Sequence, residues 1–277
     1  MSGLFFAQAP SGESQWIWQN QQTFLLPEFK SANDLPILAA TLLGQETQAW
    51  ENPEHAVNDF EKWKILKPGN PGKVLALGKN FAAHAREFGA EPPKEPLWFN
   101  KFPDILIGPD EAVVIPSHLQ TRVDHEAEVV LLLGAPLHHA TAAEATAAVA
   151  AFTLGNDVTA RKVQSDDRKH GHPWLRSKNL STFGPLGPAW IPADQVDLAQ
   201  VTLECSVNDE LRQKATLANL IFSPGIALAE ISRWVALFPG DILFLGTPEG
   251  VGPVKPGQRM EVRANGLGVL RNPVVAG

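Results

Sequence analysis

Cysteine is nearly absent from this chain of 277 residues: the one present, Cys205, cannot form an intrachain disulfide. Its setting in Leu203-Glu204-Cys205-Ser206-Val207 reads as a strand, so a buried structural thiol in a reducing compartment is expected. Long apolar runs are missing too. Leu4 to Ala7 are too few for a signal peptide and lack a basic flank. The alanine-rich stretch over 140–151 carries Glu144 and follows Pro136 and two histidines, so it is no membrane span. Cytoplasm is the expected address. No long basic run accompanies the net charge of −7, which argues against nucleic acid or an anionic membrane as partner. Repeats and low-complexity tracts are absent as well.

What remains has the composition of an ordinary globular protein. The length suits one large domain, or one large and one small. Residues 1–66 hold scattered tryptophans (Trp16, Trp18, Trp50, Trp63) and no legible chemistry. They end at the turn-rich Lys67-Pro68-Gly69-Asn70-Pro71-Gly72. A small N-terminal domain of unknown role is expected over 1–66, followed by a catalytic domain over 73–277.

Beyond the break, short apolar runs alternate with turns. Val74 to Leu77 reads as a buried strand ending at Gly78, and Val129 to Leu133 as another. Asn80 can cap a short helix from Phe81 to Phe88, closed by Gly89. Thr141 and Glu144 form a capping box for an alanine-rich helix. Ser223 caps a second, with Leu228, Ile231 and Val235 along one face. Asp241 to Leu245 reads as a strand, and Asn265-Gly266 marks a hairpin. Many short strands and few helices predict an α+β fold that is mostly β.

In Arg122-Val123-Asp124-His125-Glu126-Ala127-Glu128 the acids fall at every second position, so on one strand all three share a face. That strand runs on into Val129-Val130-Leu131-Leu132-Leu133, which must be buried. Neighbouring carboxylates repel by roughly 2–3 kcal/mol at an effective dielectric of about 20, and burial adds desolvation. A divalent cation removes both penalties, and oxygen ligands favour Mg²⁺, Mn²⁺ or Ca²⁺ over zinc. From spacing alone, a solvated acidic edge strand reads equally well. The apolar run before Asn156-Asp157 tips the balance, because Asp157 at its end can complete a three-carboxylate site with Glu126 and Glu128. The pairs His170/His172 and His138/His139 lack an acidic or cysteine partner at zinc spacing and read as surface histidines.

His84 and Glu87 stand three apart on the short helix and are neighbours there. A histidine held by a carboxylate is what a general base near neutral pH requires, though a surface pair fits an isolated HxxE as well. Lys101, Arg161 and Lys178 are ambiguous alone.

Taken together, these segments resemble the fumarylacetoacetate hydrolase family from about Lys73 to Val275. The carriers are Gly78-Lys79-Asn80-Phe81-Ala82-Ala83-His84-Ala85-Arg86-Glu87, Val123-Asp124-His125-Glu126-Ala127-Glu128 and Asn156-Asp157-Val158-Thr159-Ala160-Arg161. Val207-Asn208-Asp209-Glu210-Leu211-Arg212-Gln213, Ile221-Phe222-Ser223-Pro224 and Gly246-Thr247-Pro248-Glu249-Gly250-Val251-Gly252-Pro253 follow in order. Pro173-Trp174-Leu175-Arg176-Ser177-Lys178 looks most like the acylpyruvate hydrolase and oxaloacetate decarboxylase branch.

The resemblance implies a β-roll, a homodimer, and Mg²⁺ or Mn²⁺ on Glu126, Glu128 and Asp157. It makes His84 the general base, oriented by Glu87 on a mobile lid. It gives Lys178 a hold on the substrate, and places Lys101, Arg161, Gln164 and Thr247 in the pocket. The implied partner is a small anionic 2-oxo acid. The implied reaction is cleavage of a C–C bond in an acylpyruvate, with the cation as Lewis acid for the developing enolate. Oxaloacetate decarboxylation, isomerisation of a 2-oxo diacid, and silent binding of 2-oxo acids are the alternatives. Tyrosine, common in the family where Phe81 and His125 stand, is absent from the whole chain. Lys162 stands where an aspartate usually follows the arginine, which leaves the role of Arg161 open. Asp209 replaces a turn glycine, a position an αL-tolerant residue can hold.

Overall fold

The computed structural model describes residues 2–82 and 93–277. The expected helix over 81–88, with His84 and Glu87, lies almost wholly outside the described residues. Among those described, the chain is mostly β, with a few short helices.

The main sheet has eleven strands. At its centre Ala127–Leu133 pairs antiparallel with Val149–Asn156 on one side and with Ile242–Phe244 on the other. Val74–Gly78 then runs parallel to Ile242–Phe244 and pairs with Leu97–Lys101. Ala127–Leu133 is buried at every position. Val129, Leu131 and Leu133 enter one core, while Val130 and Leu132 enter the other. A strand covered on both faces has no solvent side on which to place polar residues, so it reads as an unbroken apolar run.

The first core lies between this sheet and a five-stranded one built on Thr202–Val207, Glu210–Thr216, Arg259–Ala264, Gly268–Ala276 and Val113–Ile115. Cys205 faces into it, fully buried. Burial pushes its thiol up to about 12, which keeps it protonated and inert. The turn Asn208-Asp209 has positive φ at both residues (49° and 66°), so the aspartate takes the left-handed conformation asked of it. The Asn265-Gly266 hairpin forms where expected, between Arg259–Ala264 and Gly268–Ala276.

The second core is closed by the N-terminal segment. Trp16 and Trp18 pack there with Leu35, Leu38 and Trp190 against Val130, Leu132 and Phe244. The strand Gly3–Gln8 is hydrogen-bonded into the main sheet, with Leu4 opposite Trp190.

Two of the three expected caps lie on described helices, and both form. Thr141 and Glu144 make a reciprocal capping box on Ala142–Ala147. Ser223 caps Pro224–Ser232, where Leu228 and Ile231 are buried. No helix of the described residues is long and apolar enough to cross a membrane.

One expectation fails. The acidic strand is not continuous through residues 122–128. Val123–His125 pairs with Thr159–Ala160 and Gly252–Val254 in a small separate sheet, and the chain changes sheets at Glu126. The Glu126 N–H donates to Asn156 Oδ1 (2.9 Å), and its carbonyl accepts from the Asp157 N–H (2.8 Å). Side-chain and loop partners thus take over where the ladder stops.

Candidate active site

The break at Glu126 separates the three acids. Asp124 turns to Arg122 (2.5 Å) and Arg161 (2.7 Å). Glu126 and Glu128 instead meet Asp157, which follows the end of Val149–Asn156. All three are buried, and their ligand oxygens lie within 4.8 Å of one another.

Three cations hold this cluster together. Lys101, ending the strand Leu97–Lys101, donates to Asp157 Oδ1 (2.5 Å) and to the carbonyls of Lys178 (2.9 Å) and Phe183 (3.2 Å). Lys178, ending the short helix Leu175–Lys178, donates to Glu126 Oε2 (2.7 Å) and Asp157 Oδ2 (2.5 Å). Arg161, opening the helix Arg161–Lys169, bridges Asp124 to Glu126 and reaches Gln164 Oε1 (2.6 Å). Its role, left open by Lys162, is therefore defined by two carboxylates, while Lys162 itself pairs with Asp166 at the surface.

Burial alone would pull Lys178 down, but Asp157 and Glu126 outweigh it and hold the ammonium above the usual lysine value. Burial pulls Lys101 below its usual value, with Asp157 acting against it. Glu128 behaves differently. Burial, then Asp157 and Glu126, push its carboxyl well above the ordinary range, and the Gly246 N–H (2.6 Å) compensates only in part. Gly246 has φ +94° and lies where an added Cβ would sit 2.9 Å from Asn80, so glycine is needed to present that N–H.

A divalent cation fits this donor set. Among the described residues, four carboxylates (Asp124, Glu126, Glu128, Asp157) face three buried or half-buried cations in this cluster, leaving one negative charge apart from the more exposed Arg122. A bound M²⁺ would turn that into one positive charge, suited to an anionic ligand. Glu126, Glu128 and Asp157 would hold it, since hard oxygen donors match Mg²⁺ or Mn²⁺.

A cleft of about 830 Å³, including space open to solvent, gives access to the cluster. Glu126, Glu128, Asp157, Arg161, Gln164, Lys178 and Thr247 all line it, with an apolar wall of Leu77, Phe99 and Trp174. Lys101 is behind Asp157 and does not line the cleft. The rings of Phe99 and Trp174 pack edge to face at 5.4 Å. His84 and Glu87, expected beside this cleft, fall outside the described residues. His170, His172, His138 and His139 are exposed and stand apart from the carboxylates.

Sequence reading missed Gln213. This buried side chain accepts from the Ala127 N–H (3.1 Å), between the two ligand residues, and meets His125 Nδ1 (2.9 Å). Its amide donates to Thr247 Oγ1 (2.8 Å) and to the Pro248 carbonyl (2.9 Å). With that lone pair taken, the Thr247 hydroxyl keeps its own proton to donate into the cleft. His125 is fully buried and burial lowers its pKa, so it is a neutral ring inside this network.

The fold and site define a β-rich protein with a buried cluster of three carboxylates that could hold a divalent cation, opening on a cleft. The family model for the fumarylacetoacetate (FAA) hydrolase C-terminal domain matches residues 73–275. The chain is 38% identical over 213 residues to human mitochondrial oxaloacetate tautomerase FAHD2A, covering 74% of this chain and 67% of that protein. Among solved structures, a fumarylpyruvate hydrolase from Pseudomonas aeruginosa in complex with Mn²⁺ and pyruvate is 34% identical. It covers 75% of this chain and 91% of its own, with a TM-score of 0.70. A 5-carboxymethyl-2-hydroxymuconate delta-isomerase from Mycobacterium smegmatis is 30% identical over 99% of both chains, with a TM-score of 0.77. The chain belongs to the fumarylacetoacetate hydrolase family.

Proposed function

We propose that this protein is a divalent-metal-dependent hydrolase that cleaves a C–C bond in an acylpyruvate-type 2-oxo acid. The observation that carries the reading is the buried Glu126/Glu128/Asp157 cluster opening on a cleft that is also lined by the cations Lys79, Arg161, Arg168 and Lys178. The relative in complex with Mn²⁺ and pyruvate supports it, since pyruvate is the 2-oxo acid half of such a substrate.

Bound there, Mg²⁺ or Mn²⁺ supplies Lewis acidity to the 2-oxo acid end of the substrate. Arg161 and Lys178 orient the carboxylates that grip it, and their charge adds to the attraction for the substrate's own carboxylate. Thr247 donates its hydroxyl proton to a substrate oxygen. Phe99 and Trp174 keep water off the carbon chain. His84, oriented by Glu87 as the resemblance implies, takes a proton from the water that attacks the distal carbonyl. The C–C bond then breaks, and the pyruvate half leaves with the bonding electrons and is protonated.

A second reading, a tautomerase, isomerase or decarboxylase of 2-oxo diacids, has its own support in the oxaloacetate tautomerase and delta-isomerase relatives. A panel of acetopyruvate, fumarylpyruvate and oxaloacetate with Mg²⁺ and Mn²⁺ separates the two. The hydrolase releases pyruvate from the first two, and His84→Ala lowers that rate at least about 10²-fold while leaving Mg²⁺ binding intact. Accelerated keto–enol exchange or CO₂ loss from oxaloacetate, without pyruvate release from acylpyruvates, would establish the second reading instead. No turnover with any of them would leave a silent binder of 2-oxo acids.

A further inference from the structure

The far end of the cleft has its own chemistry. The helix Arg161–Lys169 turns Arg161, Gln164, Ser165 and Arg168 toward it, the spacing of one helical face. Arg161 marks the inner end through its bond to Glu126. Arg168 comes seven residues later, about 10 Å farther along the axis, and is solvent-exposed at the mouth.

Its neighbours' charges are already engaged. Lys162 pairs with Asp166, and Asp167 is held by Arg176 (2.6 Å). Arg168 has no ion-pair partner among the described residues, despite two aspartates directly before it in sequence. A cation in the last helical turn complements the helix dipole, but Lys169 does so without lining the cleft. Between the two ends, Leu77, Phe99 and Trp174 offer an apolar wall to a carbon chain, with Lys79 also on the lining beside Leu77 and Gly78.

We propose that Arg168 is a specificity-determining residue that binds the distal carboxylate of an extended 2-oxo dicarboxylic acid. This rests on the reading of the carboxylate cluster as a cation site gripping the 2-oxo acid end. The planar guanidinium can take a carboxylate through two parallel hydrogen bonds. A four-carbon diacid gripped at the cluster ends well short of Arg168, whereas a six- or seven-carbon diacid spans the apolar wall and reaches it.

The test is calorimetry in Mg²⁺ with a matched pair, 2-oxohexanedioate and 2-oxohexanoate, which differ in having a carboxylate or a methyl at the far end. The full chain should bind the diacid about tenfold more tightly, the scale of one charge-assisted contact at a wet rim. Arg168→Gln should erase that preference, and Arg168→Lys should keep part of it. The residue is exposed, so the variants should fold. Equal binding of the pair by the wild-type protein, or a preference that survives in Arg168→Gln, would overturn the assignment. Oxalate, too short to touch Arg168, reports on the inner end alone. If oxalate binds but the pair is not distinguished, only this inference fails; if oxalate does not bind, the cation-site reading fails with it.

Discussion

Replacing Glu126 or Glu128 by Ala should lower turnover by about 10³-fold or more, because the loss of a ligand forfeits several kcal/mol of Lewis-acid stabilisation. Each variant should also lose the rise in melting temperature that Mg²⁺ gives the wild-type protein, since a ligand stabilises only a fold that binds it. Glu128→Gln is the sharper variant. Glu128 is buried beside two other carboxylates and its carboxyl is held well above the usual range, so its charged form is unfavourable in the metal-free fold.

The sign of the pH effect follows. A raised folded-state pKa means that the folded protein binds this proton more tightly than the unfolded chain does. The resulting stability is fully present below the unfolded carboxylate value of about 4.3 and is lost as pH rises through the raised folded value. Metal-free wild-type protein should therefore lose stability across that window, and Glu128→Gln should lose less. Mg²⁺ needs the ionised form, so its binding should release protons and strengthen with pH. Thermal melts across pH in EDTA and in Mg²⁺ check both statements. Wild-type turnover and an unchanged Mg²⁺ response in Glu128→Gln would refute them.

Lys178→Met should be the most destabilising of the site variants when metal is withheld. The ammonium is buried on two carboxylates, Glu126 and Asp157, and removing one partner of a buried ion pair costs about 3–5 kcal/mol. The charges left behind are those a divalent cation neutralises. Mg²⁺ should thus recover much of the lost stability, and its stabilising effect should be larger in the variant than in the wild-type protein. Activity should not return with it, because the ammonium beside the cleft is gone. Urea denaturation with and without Mg²⁺ reads this directly. A variant as stable as wild type in EDTA would mean that the lysine is not compensating the cluster.

Much of this was legible in the sequence, and the reason is locality. The Thr141/Glu144 box, the Ser223 cap and the Asn265-Gly266 turn are made by residues a few positions apart, so their chemistry is written side by side. The three carboxylates could be found because burial next to Val129–Leu133 makes uncompensated charge costly. What was not legible depends on distant partners. The change of sheet at Glu126 rests on Asn156, thirty residues away. Gln213 is tied to His125 across eighty-eight residues, and nothing beside it in the chain marks it as buried. Lys101 looks like any solvated lysine until Asp157, Lys178 and Phe183 close around it. Trp16, Trp18 and Trp50 are explained by the second face of the main sheet, against which they pack.

The most direct measurement is an anomalous difference map from crystals grown with Mn²⁺ and oxalate. The account predicts one strong peak bounded by the carboxylates of Glu126, Glu128 and Asp157, at about 2.0–2.2 Å from the ligand oxygens, with oxalate completing the coordination from the cleft side. A map with no peak there, or with its peak at the surface pair His170/His172, would contradict it.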